Sequence, residues 1–79
     1  MDYCEYIVRD PKICAGVPVM KGTRVPLRIV LGSLAQGERP EKIVCEFPTL
    51  TLEAVWAAIA FAAASAEEDI PYLPPLYAS

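Results

Sequence analysis

Apolar positions fall into two short bursts near the N-terminus and three longer helical stretches after them. Tyr6 to Arg9 and Val17 to Met20 are β-prone runs bounded by Asp-Pro and Lys-Gly, and they predict a small two-stranded ribbon. Such a ribbon is weak alone and must lie on helices or on a second copy of itself. Pro26 suits the first turn of a helix, where its missing N–H costs nothing. Beyond it Leu27, Ile29, Val30, Leu31 and Leu34 recur at helical spacing up to Gly37, a natural stop. Pro40 repeats the device. In "PEKIVCEF", Glu41 sits at the positive helix end, Ile43, Val44 and Phe47 point toward a core, and Pro48 closes the helix.

Thr51 is the expected N-cap of a third and longest helix, with Glu53 in its first turn. "TLEAVWAAIAFAAASAEE" is rich in alanine, the best helix former. One expected face is Leu52, Val55, Ile59 and Ala62, which Trp56, Ala60 and Ala63 extend, while Phe61 lies well round from Ile59. A helix apolar nearly all round is buried on more than one side, so Trp56 and Phe61 are core residues or anchors of a subunit or partner interface. The last stretch, "DIPYLPPLYAS", holds three prolines, two tyrosines and two leucines. Its prolines forbid a helix, and it is too apolar for a solvated linker. An extended docking arm suits this composition, with Tyr72, Leu73, Leu76 and Tyr77 as its contacts, and a disordered end is the alternative. The expected organisation is one domain over 1–66 and an extended Pro-rich tail over 67–79.

Composition adds a constraint on size. A chain of 79 residues buries only about 60% of its unfolded surface, yet 54% of its residues are apolar. That surplus points to a homodimer or a tight protein partner. The longest unbroken apolar run, Ala54 to Ala64, has eleven residues, the length of a buried helix and not of a membrane span. "MDYCEYIVRD" lacks the basic-then-apolar layout of a signal peptide, so a cytoplasmic protein is expected.

Cys4, Cys14 and Cys45 form no C-x-x-C pair, and the chain has no histidine. A disulfide framework or zinc site is not expected, and the cysteines read as small buried or half-exposed apolar residues. Without histidine the commonest general base is missing, and the four glycines are too scattered for a phosphate loop. Neither an enzyme nor a cofactor is expected.

Charge is unevenly spread. Residues 9–28 carry Arg9, Lys12, Lys21, Arg24 and Arg28 against Asp10 alone, a local balance of +4 in a chain of net charge −3. Within "VPVMKGTRVPLRIVL", Gly22 permits a positive-φ turn, Thr23 can hydrogen-bond the turned backbone, and Pro26 launches the helix. Lys21, Arg24 and Arg28 need another explanation: Arg24 pairs with a carboxylate from the acidic half, or the cluster is a binding surface. An anion such as DNA phosphate suits such a surface.

A short helix, a turn through "FPTL" and a longer helix have the proportions of a helix-turn-helix. With the preceding segment, the chain resembles the domain of unknown function 433 family from Ile7 to Ala64. The motifs carrying the resemblance are G-x-P-V-x-x-G-T-R-V-P (Gly16 to Pro26), A-Q-G (35–37), "PEKI" and "FPTLTLEAV". The resemblance implies a mainly α, homeodomain-like three-helix bundle with a short N-terminal β ribbon, usually dimeric. It also implies an antitoxin-like, VapB-type protein whose partner is a small PIN-like nuclease toxin, with binding to its own promoter. Val17 stands where the family commonly has lysine, and Trp56 where the second helix of the helix-turn-helix often carries a basic residue. That helix has no Lys or Arg, whereas base edges are read by Arg, Lys, Asn or Gln. DNA binding by the chain alone is therefore expected to be weak.

The expected function is neutralisation of a nuclease by direct binding. Lys21, Thr23, Arg24 and Arg28 make the nucleic-acid or toxin contact, and Trp56, Phe61 and the tail residues form the dimer or partner interface. The alternatives are a DNA-binding transcriptional regulator without a toxin and a small dimeric interaction module.

Overall fold

The computed structural model describes residues 2–69. Three α-helices, α1 (Leu27–Ala35), α2 (Pro40–Glu46) and α3 (Leu52–Asp69), pack on one another and against an antiparallel ribbon of β1 (Ile7–Val8) and β2 (Val19–Met20). The fold is thus the expected mainly α bundle with an N-terminal ribbon. The strands are shorter than the β-prone runs, in register Ile7 with Met20 and Val8 with Val19. Two 3-10 turns, Tyr3–Glu5 and Cys14–Gly16, complete the N-terminal part.

Local chemistry sets each boundary. Pro26 is the residue before α1, still extended at φ −64° and ψ 143°, and it bridges to Val19 of the ribbon. The Leu27 N–H donates to the Pro18 carbonyl at 2.9 Å, so ribbon and helix are joined by backbone. At the other end Gly37 takes φ +93°. Its N–H reaches the Leu34 carbonyl at 3.0 Å, and the Glu38 N–H reaches that of Ser33 at 3.1 Å, which is a Schellman closure. Pro40 opens α2 within its first turn. Thr51 caps α3, its Oγ1 accepting the Ala54 N–H at 3.1 Å.

The core is built from Met20, Leu27, Val30, Ile43, Leu50, Ala54, Val55 and Ala58, with Phe47, Val44, Leu34 and Phe61 half-buried around it. Alanines at the α3 contact let that helix approach α1 and α2 closely.

Three expectations are corrected here. The buried face of α3 is Ala54, Val55, Ala57 and Ala58; of the expected face Leu52, Val55, Ile59 and Ala62, Val55 alone is fully buried. Leu52 and Trp56 point outward at 40% and 52% exposure, because the alanine side is the one that fits against α1 and α2. The cysteines are not buried or half-buried: Cys4, Cys14 and Cys45 are all exposed and free, carried on turns or on the outer side of α2. The helix α3 continues through Asp69, past residue 66, where the domain was expected to end. The tail from residue 70 onward lies outside the described residues. No described helix is long and apolar enough to cross a membrane.

Candidate interaction surfaces

The basic turn is built on a β-turn between β2 and α1. The Thr23 N–H donates to the Met20 carbonyl at 3.0 Å, and Gly22 takes φ +79°, the arrangement of a type II turn. Thr23 then locks the chain twice: its hydroxyl donates to the Met20 carbonyl at 2.7 Å and accepts the Val25 N–H at 3.0 Å. The Lys21 N–H is tied to the Tyr6 carbonyl at 2.7 Å. The backbone under Lys21 and Arg24 is therefore fixed from three sides, and both side chains are exposed. Arg28 is exposed too, one residue into α1.

Among the described residues the one salt bridge is Arg39–Glu41, at 3.6 Å and well exposed. Arg24 has no carboxylate partner among the described residues. Thr23, by contrast, is half-buried, and its hydroxyl is engaged by the turn. Its place in the geometry is to hold the cations in position.

A second surface is the outer side of α3. Leu52, Trp56 and Ala63 are exposed, and Ile59 and Ala60 are half-exposed between them. The spacing 52, 56, 59, 63 puts these residues on one stripe. That stripe is the apolar surplus foreseen from composition, left uncovered in a single chain.

Phe61 lies on the opposite side of α3, half-buried against the core. It pairs edge-on with Tyr3 and lines two adjoining grooves. One, of about 260 Å³, is walled by Tyr3, Cys4, Ile7, Arg9 and Pro18. The other, of about 280 Å³, is walled by Val17, Leu27, Arg28 and Leu31, with Pro18 shared. Sequence reading overlooked Tyr3, Arg9 and Pro18 here. The position of Arg9 in the basic third was the only signal, since the groove forms from segments far apart in the chain. The Arg9 Nε–H donates to the Gly16 carbonyl at 3.0 Å, holding this guanidinium at the groove's edge.

The tail residues Tyr72, Leu73, Leu76 and Tyr77 lie outside the described residues. Among those described, no group of three or more His, Cys, Asp or Glu is arranged to hold a metal ion. The described residues thus present a basic turn, an apolar stripe on α3 and the grooves beside Phe61.

Known proteins place the chain further. It is 36% identical over 61 residues to the uncharacterized protein y4eO of Sinorhizobium fredii (strain NBRC 101917 / NGR234), a match covering 77% of this chain and 28% of that protein. The crystal structure of a DUF433 member from Anabaena variabilis ATCC 29413 superposes with a TM-score of 0.67 at 26% identity, over 78% of this chain and 61% of the other. The chain thus spans under a third of the first relative and about three-fifths of the second. The model of the family described as "Protein of unknown function (DUF433)" matches residues 7–62, from the first strand well into α3, and the chain belongs to that family.

Proposed function

We propose that this protein is the antitoxin-like member of a bacterial toxin–antitoxin pair, a non-enzymatic cytoplasmic homodimer that neutralises a small PIN-like nuclease by direct binding. The observation that carries the reading is the uncovered stripe on α3, with Trp56 at its centre and half exposed. Aromatic residues are the usual anchors of protein interfaces, and a stripe of Leu52, Trp56 and Ala63 suits a protein surface far better than phosphate. The basic turn supplies the complementary charge. Lys21, Arg24 and Arg28 stand on fixed backbone without partners among the described residues, which suits the carboxylates of a cation-dependent nuclease site.

A second reading, a helix-turn-helix regulator of its own promoter, draws on the same three cations. The helix that would enter the major groove, α3, has no Lys or Arg, so DNA contact on this reading is limited to phosphate and is weak alone.

The experiment is to identify the reading frame adjoining this gene and, where it encodes a small nuclease-like protein, to co-express the two. Co-purification and inhibition of its nuclease activity support the reading, with losses on Trp56→Glu and Arg24→Ala. A neighbour that neither binds nor is inhibited, or inhibition unaffected by both substitutions, rejects it.

A further inference from the structure

The two grooves beside Phe61 share that ring and Pro18 as walls, so they run together as one trough. Its halves measure about 260 Å³ and about 280 Å³, each below the roughly 300 Å³ at which small-molecule pockets begin. Each half suits one large side chain better than a free ligand.

The trough is apolar along its length and basic in both halves. Tyr3 and Ile7 line one half, Val17 and Leu31 the other. Arg9 borders the first half and Arg28 the second, and among the described residues no carboxylate lines either. Both arginines are exposed, and neither has a carboxylate partner among the described residues. Arg9 is also held in place. Its Nε–H donates to the Gly16 carbonyl at 3.0 Å, which leaves the outer N–H groups of the fork for a ligand and lowers the entropy that binding must remove.

This pattern selects among ligands. A neutral apolar segment would take water from two guanidinium groups and give them no partner, which is unfavourable. A phosphate backbone would meet the cations but leave Tyr3, Ile7, Val17 and Leu31 uncovered. A segment with two apolar side chains between carboxylates satisfies both the floor and the charges.

We propose that this trough docks an acidic segment of another protein, with one apolar side chain in each half and carboxylates on Arg9 and Arg28. The inference stands apart from the antitoxin reading: it uses neither Trp56 nor Lys21 and Arg24, and shares Arg28 alone.

The test is titration of the intact protein with synthetic peptides, followed by backbone amide NMR. One peptide carries two leucines flanked by glutamates, and the controls replace the glutamates by lysines or the leucines by alanines. The glutamate–leucine peptide is expected to shift Tyr3, Ile7, Val17, Leu31 and Phe61 and to leave Trp56 emission unmoved, with both controls several-fold weaker. Arg28→Ala should weaken it by roughly two- to five-fold, the range of one exposed charge pair. Arg28→Glu should move the preference toward the lysine peptide, with unchanged circular dichroism as the check on folding. Absence of binding, or equal binding of the glutamate and lysine peptides, overturns the proposal. Shifts confined to Lys21 and Arg24 overturn it as well. Trough shifts that appear on concentrating the protein alone assign the site to a second copy, and tighter binding of a short oligonucleotide assigns it to nucleic acid; either result rejects the acidic segment.

Discussion

Tyr3 stands edge-on to Phe61, with ring centroids 5.5 Å apart and ring planes at 88°. This contact fastens the first turn of the chain to the middle of its last helix. Edge-to-face pairs contribute about 0.5–1.5 kcal/mol beyond the area they bury. Tyr3→Ala should therefore lower the unfolding free energy by about 1 kcal/mol or more in urea titration, and Tyr3→Phe should change it little. Equal stability of Tyr3→Ala and parent would show that the N-terminal turn contributes nothing to the fold.

Ile43 is fully buried in the core cluster on α2. Truncation to alanine leaves a cavity at the junction of all three helices, and such changes cost about 2–5 kcal/mol. For a domain this small that is a large share of the total. Ile43→Ala should be largely unfolded by circular dichroism at 37 °C, while Ile43→Val retains the cooperative transition.

The double use of the Thr23 hydroxyl separates its role from that of the cations. Thr23→Ala removes a donor and an acceptor from a half-buried turn and should destabilise by roughly 1–2 kcal/mol. Thr23→Ser keeps the hydroxyl and should lose much less. A contact residue would behave otherwise, with serine and alanine affecting partner binding but neither affecting thermal unfolding.

Cys14 and Ala15 both take positive φ, at 50° and 57°, ahead of Gly16 at 83°. A left-handed residue with a Cβ costs roughly 1–2 kcal/mol, and the extra freedom of glycine in the unfolded chain costs about 0.4–1 kcal/mol. The first term is larger. Ala15→Gly should stabilise the protein by roughly half a kcal/mol, measurable as a rise in midpoint denaturant concentration.

The stripe on α3 makes an oligomeric prediction. The protein should sediment as a dimer, about twice its 8.6 kDa chain mass, at micromolar concentration. Trp56→Glu places a charge on the stripe and should give a monomer with unchanged helical content. Should DNA binding be detected, Arg24→Ala and Arg28→Ala are expected to weaken it about equally across sequences and to flatten its salt dependence. Loss confined to one operator sequence would instead indicate base readout.

What the sequence made legible were features decided locally. Pro26, Pro40, Thr51, Gly22 and Gly37 each act within a few residues, through a missing N–H, a hydroxyl or a permitted positive φ, and each stands at a boundary of the structure. The rotation of α3 was not legible, because a helix apolar on every side gives no asymmetry from which to choose a face. Packing against α1 and α2 chose the alanines and left the larger Leu52 and Trp56 outside. The groove at Phe61 was equally hidden, since its walls come from Tyr3, Pro18 and α3, and only the folded chain brings them together. The basic turn was visible as a cluster, and the turn geometry explains why its cations face outward.

Trp56 is the chain's single tryptophan, and its half-exposed ring makes the protein its own optical probe. In the single chain its indole is half exposed on one side of α3, so a dimer built on the stripe would cover it, while Phe61 and the groove lie on the other side. Anything that covers the stripe should shift its emission to shorter wavelength and shield it from iodide. An occupant of the groove should leave the spectrum unmoved. Unlabelled protein in a cuvette therefore reports which side of one helix a binder has chosen.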